Sequence, residues 1–361
     1  MSIKLRCPHC FLKIGADEEH KGSKVNCPGC ERVIHIPAPK CVTGLDVGGF
    51  VIEQWLGNGA MGEVHLAKQT SMGRMIALKI LPDESVEEEE DKQRFIQEVH
   101  TLAKLDHPNI VSAISAGEFS GGAYLAMNFI NGVTVEDKIN KEGPLNEKDA
   151  IRYCITIAEA LDYAWGNSSI IHRDLKPANF MVDDKDQIHL MDMGIAKSME
   201  NDLNLTIEGM VMGTPYYMSP EQASGEKKLD VRSDIYSLGA SLYHMVTGFP
   251  PYDKNTSLQV MAKKLSEPPK PAIDLNPNLS KRICNIIEKL MEIELSERPK
   301  DWSSVISLLK ETPSSKKKIK VNSNVGKINS VKSSKNKKSS FPLLITIIVF
   351  LIIVIALLAL R

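Results

Sequence analysis

The chain has 361 residues, enough for two or three independently folded units. Its formal net charge of −1 conceals a split: from residue 312 onward there are nine Lys plus Arg361 and no acid, while the rest holds 34 Lys+Arg against 45 Asp+Glu, about −11. An acidic body argues against nucleic acid as its general partner. The apolar fraction of 43% is ordinary for a globular chain, but it is unevenly spread and gathers at residues 341–360.

Residues 1–6 lead straight into a Cys cluster without an apolar run, so no secretory signal is expected and the body is placed in the cytosol. Of the seven Cys, four form two CxxC pairs and three, Cys41, Cys154 and Cys284, are scattered. In a reducing compartment the pairs read as metal ligands and the others as ordinary thiols. Cys7-Pro8-His9-Cys10 and Cys27-Pro28-Gly29-Cys30 stand sixteen residues apart. Each CxxC makes a tight knuckle with two thiolates aimed at one centre, and two knuckles complete a tetrahedral shell suited to structural Zn²⁺. The predicted ligands are Cys7, Cys10, Cys27 and Cys30, with His9 left facing solvent. Residues 1–37 are too few to fold on their own core, and metal binding, worth roughly 10–16 kcal/mol in small zinc peptides, would supply the stability. A catalytic CxxC is the weaker reading, because no βαβ pattern surrounds either pair.

Residues 38–47 form a linker behind Pro37-Ala38-Pro39, and a large unit spans 48–310. It opens on strand-like, Gly-punctuated sequence and ends in helical patterns. Leu56-Gly57-Asn58-Gly59-Ala60-Met61-Gly62-Glu63-Val64 is a Gly-rich loop, weak evidence alone. It is followed by Ile76-Ala77-Leu78-Lys79-Ile80, an apolar strand interrupted by one Lys, which a buried strand rarely carries unpaired. Glu98 lies nineteen residues further on, in a helical stretch, as a candidate partner. Then come His172-Arg173-Asp174-Leu175-Lys176-Pro177-Ala178-Asn179, Asp192-Met193-Gly194 and Gly213-Thr214-Pro215-Tyr216-Tyr217-Met218-Ser219-Pro220-Glu221.

These blocks, in this order, resemble the signature set of protein kinases, and most closely the bacterial Hanks-type Ser/Thr kinases. The resemblance covers roughly 48–310. It implies an α+β bilobal fold, with a small β-rich lobe and a larger helical one. It also implies transfer of the ATP γ-phosphoryl group to Ser/Thr hydroxyls of proteins, with Mg²⁺ or Mn²⁺ as cofactor. Catalysis of this kind is mostly positioning and electrostatics. By the same resemblance Gly57, Gly59 and Gly62 bring backbone N–H groups close over the phosphates. Lys79 orients the α/β-phosphates and Glu98 holds Lys79. Asp192 and Asn179 hold metal, Asp174 takes the substrate proton, and Lys176 stabilises the transferring phosphate. Thr214 contacts Asp174 and Lys176. Leu56 and Asn58 bind ATP, Val64 and Ala77 form the roof of the adenine pocket and Met181 its floor. Met127 is its gatekeeper, and Asn128 to Ile130 form the hinge. Asp234 anchors the catalytic-loop backbone and Arg298 pairs with Glu221. Met193 departs from the family's Phe, a softer filler of the same apolar slot, which puts regulation rather than chemistry in question. Arg173 is expected to dock a phosphate on Thr206, placed there by a neighbouring copy in trans.

The Cys-rich segment is similar to small zinc ribbons that precede kinase and other domains in some bacteria. It either stands as a structural unit or recruits a partner. Residues 1–40 are mildly basic but poor in aromatics, so base stacking is poorly served. Residues 311–340 are Ser, Lys and Asn with few large apolars, a composition that reads as a linker without a core. Residues 341–360 hold no charge, and twenty residues at 1.5 Å each reach roughly 30 Å as a helix, the thickness of a bilayer core. The lysines just before them keep the body on the cytoplasmic side, giving an inner-membrane tail anchor. The reading from a different class is a pseudokinase scaffold, which the presence of Lys79, Asp174, Asn179 and Asp192 disfavours.

Overall fold

The computed structural model describes residues 3–6, 12–16, 20, 23–35, 43–59, 62–82, 99, 103–119, 122–193, 215–226, 228–252 and 256–311. Two antiparallel hairpins open the chain. β1 (Ile3–Arg6) pairs with β2 (Lys13–Ala16), Arg6 opposite Lys13. β3 (Lys24–Asn26) pairs with β4 (Val33–His35), Asn26 opposite Val33. Six residues separate the last paired positions of each hairpin, and each six begins with a CxxC. Cys7 and Cys10 lie outside the described residues. In the second tip Cys27 is buried, and the Gly29 N–H points at its Sγ, 3.4 Å away. Glu31, at φ +60°, turns the chain back so that the Cys27 N–H meets the Arg32 carbonyl at 2.8 Å. Cys27 and Ile34 pack with Ile14 of the first hairpin and Val25 and Cys30 of the second.

A six-stranded antiparallel sheet follows. Its strands are β5 (Asp46–Val47), β6 (Phe50–Gly59), β7 (Gly62–Gln69), β8 (Met75–Pro82), β9 (Ala113–Phe119) and β10 (Gly122–Asn128), in the order β5-β6-β7-β8-β10-β9. Strand periodicity puts alternate residues on opposite faces. On one face Phe50, Ile52, Ala67, Ile76, Leu78 and Ile80 form a small core. On the other, Val64, Leu66 and Ala77 stay half-buried beside the buried Lys79. An apolar strand face left half open is what a cleft roof requires.

The second lobe is helical. α1 (Val135–Glu142) and α2 (Glu147–Ser168) precede α3 (Pro220–Ala223), α4 (Val231–Thr247), α5 (Ser257–Lys264), α6 (Lys281–Leu290) and α7 (Trp302–Lys310). The caps are local and legible: Asn146 accepts from the Asp149 N–H to start α2, Asp230 from Arg232 to start α4, and Gly248 at φ +80° ends α4. Such N-caps contribute about 1 kcal/mol each. Every residue of α4 except Arg232 is buried, so it is the axis of this lobe. A three-stranded sheet of β11 (Gly132–Thr134), β12 (Phe180–Asp183) and β13 (Ile188–Leu190) sits beside the helices, β12 in the middle. The two cores are separate clusters. Segment 109–112 stitches them: Leu190 donates to the Asn109 carbonyl and Val111 to the Leu190 carbonyl, at 2.8 and 2.9 Å, while Ser112 accepts from Asn128 at 3.1 Å. Among the described residues no helix is long and apolar enough to cross a membrane, and residues 341–360 lie outside them.

Candidate active site

The cleft's upper wall is positioned by the ladder. Val64 sits opposite Lys79, Leu66 opposite Ala77, and Met127 opposite Ala77 from the other side of β8. Gly62 has a specific reason to lack a side chain: a Cβ there would lie 1.9 Å from the Ile80 carbonyl oxygen. The neighbour that demands glycine at 62 is therefore the next strand, a sheet contact the motif alone does not reveal. A Cβ on Gly57 would meet nothing within 4 Å, so no contact among the described residues demands glycine there. Leu56 is exposed at the rim. Gly59 and Asn58 close β6 against Gly62 and Glu63.

Lys79 is only 6% exposed at its side chain, and its Nζ donates to Asp192 Oδ1 at 3.0 Å, across 113 residues of sequence. Glu98, the partner expected from the sequence, lies outside the described residues, as do Thr214 and Thr206. A cavity of about 20 Å³ is lined by Met127, Leu105, Ile110, Leu125, Asp192 and Met193, among others. Met193 is itself buried in the large-lobe core.

The lower wall is built from side chains that reach backbone. Lys176 Nζ donates to Asp174 Oδ2 at 2.7 Å. Asn179 Nδ2 donates to the Asp174 carbonyl at 2.8 Å and to Oδ2 at 3.2 Å. That spends the amide's donors inward and turns its acceptor oxygen away from Asp174. The short 3₁₀ turn Pro177–Asn179 holds it there, and Met191 donates to the Asn179 carbonyl at 2.9 Å, which ties Asp192 to the same frame. His172 is buried; the Asp174 N–H donates to its Nδ1 at 3.3 Å and its Nε2 reaches the Met191 carbonyl at 2.9 Å. Those two bonds select the tautomer with the proton on Nε2.

Arg173 and Asp192 both occupy the left-handed region, at φ +64° and +51°, a conformation costly for non-glycine residues. At Arg173 the surroundings hold it on both sides. Asp234, 1% exposed, accepts from the His172 N–H at 2.6 Å and the Arg173 N–H at 2.8 Å, one on each carboxylate oxygen. Burial pushes the Asp234 carboxyl up, opposed by His172 and by these two N–H bonds. Gln222 donates Nε2 to the Arg173 carbonyl at 2.9 Å. The same residue closes a capping box with Ser219 at the start of α3. The Ser-x-x-Gln spacing signals that box in the sequence; nothing there signals the bond to Arg173.

Glu221 and Arg298 form a buried bidentate pair at 2.8 and 2.9 Å. Arg298 also donates to the carbonyls of Glu292, Arg232 and Ile293, and Ser233 donates to Glu221 at 2.6 Å. Burial raises the Glu221 carboxyl, but the Arg298 and Ser233 bonds outweigh it and hold it below its usual range. Met181, expected from the sequence to floor the adenine pocket, lies half-buried in β12, opposite Thr134 and His189. Ile130 follows β10 and is half-buried, and Asn128 is exposed.

A carboxylate flanked by a lysine and an amide, together with a buried lysine on the strand next to a Gly-rich hairpin, is a residue set that phosphoryl transfer uses. The protein kinase domain model matches residues 50–310, and this chain belongs to the protein kinase family. It is similar to serine/threonine-protein kinase pkn3 of Myxococcus xanthus, 37% identical over 260 residues that make up 70% of this chain and 47% of that protein. It is also similar to serine/threonine-protein kinase PknB of Mycobacterium tuberculosis, 36% identical over 247 residues, 67% of this chain and 39% of that protein. The chain thus matches less than half the length of these curated relatives. The crystal structure of the Mycobacterium tuberculosis PknI kinase domain matches with a TM-score of 0.60 at 26% identity, covering 74% of this chain and 98% of that one.

Proposed function

We propose that this chain is a Ser/Thr protein kinase that transfers the ATP γ-phosphoryl group to protein Ser and Thr hydroxyls. We propose further that a structural Zn²⁺ holds its N-terminal hairpins and that residues 341–360 anchor it to a membrane, the body cytoplasmic. The observation that carries the catalytic reading is Asp174, with Lys176 at 2.7 Å and Asn179 at 3.2 Å from one carboxylate oxygen. Asp174 accepts the hydroxyl proton while Lys176 places a cation beside the transferring group. Lys79 aligns the phosphate chain from the opposite wall. The donors that would hold Mg²⁺ or Mn²⁺ are the Asp192 carboxylate, 37% exposed, and the Asn179 amide oxygen, a hard-oxygen set that fits such ions. When bound there, such an ion would neutralise charge on the phosphate oxygens.

The zinc proposal is supported by the matched places of the two CxxC pairs in their hairpins and by the N–H that faces the Cys27 sulfur. The anchor rests on the charge-free run of twenty residues. Thr206 is proposed as an activating site phosphorylated in trans by a second membrane-held copy, its phosphate docking on Arg173. The deciding measurement is transfer of labelled phosphate to myelin basic protein in Mg²⁺, with analysis of the phosphorylated amino acids. Asp174→Asn is expected to lose about 10²- to 10⁴-fold in kcat while keeping its melting transition. Wild-type turnover in that variant, or label on residues other than Ser and Thr, overturns the reading.

A further inference from the structure

Lys264, the last residue of α5, is fully buried, an uncommon place for a lysine. Among the described residues it makes no ion pair. Instead its Nζ donates to the Tyr216 carbonyl oxygen at 2.8 Å and lies 4.9 Å from the ring centroids of both Tyr236 and Tyr252. Arg298 stands 5.0 Å over the same Tyr236 ring. Burial, and after it the Arg298 charge, depresses the Lys264 amine well below its ordinary range; charged or neutral, it keeps an N–H for the carbonyl.

The segment it holds is buried, with Tyr216 and Tyr217 packed into the large-lobe core. Residues 215–219 belong to no sheet and only a single 3₁₀ turn. Their carbonyls are taken by side chains from below: Lys264 on Tyr216, and Ser237 of α4 on Tyr217 at 2.8 Å. The Tyr217 hydroxyl is 2.7 Å from His244 Nδ1 on the same helix. The segment runs directly into α3, whose Gln222 grips the carbonyl of Arg173, the neighbour of the proposed base Asp174. Gln222 thereby fixes the end of this segment beside Arg173, and an acceptor hydroxyl that reaches Asp174 has to arrive on a chain that passes the neighbouring surface.

We propose that Lys264 is a positioning residue for the protein acceptor: by holding the Tyr216 backbone it sets the platform against which the acceptor segment lies before Asp174. The inference rests on the kinase reading. Lys264 touches neither the nucleotide walls nor Asp174, so its influence falls on acceptor use and leaves ATP use alone. Lys264→Met keeps the aliphatic stem and strands a buried carbonyl, a loss that corresponds to about tenfold.

The test compares wild type, Lys264→Met, Lys264→Arg and Ser237→Ala as full chains, with myelin basic protein as acceptor. Lys264→Met is expected to raise the acceptor KM about tenfold, with the KM for ATP and acceptor-independent ATP hydrolysis unchanged. Lys264→Arg, which retains donors, is expected to recover most of the loss. Ser237→Ala is expected to show the same split, and it carries the test with Lys264→Arg if Lys264→Met fails to melt cooperatively. A folded Lys264→Met with the wild-type acceptor KM overturns the proposal, as does a parallel loss of ATP hydrolysis, which marks a merely structural residue. If Lys264→Met does not fold, a wild-type acceptor KM in Ser237→Ala overturns it. Absence of transfer in the wild type itself overturns the kinase reading and this inference together.

Discussion

The two walls of the cleft are made by different means. The upper wall is a backbone ladder: Val64, Ala77 and Lys79 stand where strand register puts them. The lower wall is a set of side chains that each seize a backbone group, Asp234 on His172 and Arg173, Gln222 on Arg173, Asn179 on Asp174. A ladder shares its load over many equivalent bonds, so it tolerates side-chain change except where a second backbone occupies the Cβ position. A wall of individual polar bolts fails one bolt at a time, since each removal leaves a buried donor or acceptor without a partner.

The largest effect is expected at the Glu221–Arg298 pair, both side chains being at most 3% exposed. Arg298→Met strands a buried carboxylate and is expected to cost about 3–5 kcal/mol, read by denaturant unfolding. The pH dependence follows from the depressed Glu221 carboxyl. A depressed carboxyl contributes stability that is present above its unfolded value, near 4.5, and lost as pH falls through its folded value. The gap between wild type and Arg298→Met should therefore be widest at neutral pH and close in acid. A gap that stays constant down to pH 3 would remove the ion pair from the set of bolts.

Asp234→Asn is a smaller change with a sharper readout. The amide keeps one acceptor oxygen but presents an N–H₂ to the second backbone donor. A loss of about 1–3 kcal/mol is expected. Because His172 and Arg173 lead into Asp174, kcat should fall while the KM for ATP, set by the other wall, stays close to wild type. An unchanged kcat would mean that the strained loop holds without its anchor.

Gly62→Ala probes the ladder at a place where it resembles a bolt. The added methyl meets the Ile80 carbonyl oxygen at 1.9 Å, so the hairpin has to open. The expected cost is about 1–2 kcal/mol with a higher KM for ATP and an unchanged acceptor KM. That is the reverse of the split expected at Lys264, and the two variants together would separate the walls kinetically.

The chemistry-bearing residues are legible in the sequence because each lies in a short contiguous block. Asp174, Lys176 and Asn179 fall within six residues, and the loop that displays them needs no distant partner to be recognised. The caps of α2, α3 and α4 are local in the same way. The strained φ at Arg173 is not legible, because the carboxylate that holds its N–H, Asp234, lies some sixty residues away. The reason for Gly62 is legible only in part: the motif points to phosphates, while the crowding comes from the Ile80 carbonyl of a strand that the sequence places eighteen residues on.

By itself the sequence pointed to the protein kinase family, since the blocks that carry the resemblance are contiguous and their order along the chain is enough to recognise them. Only the tertiary structure decided the fate of Lys264. On the sequence it is the second of two adjacent lysines in the last turn of an amphipathic helix, where a basic residue ordinarily faces solvent and favours the helix C-terminus. The fold brings Tyr216, Tyr236 and Tyr252 around it from 48, 28 and 12 residues away. Burial is a property of what surrounds a residue in space, and no local pattern encodes neighbours that distant.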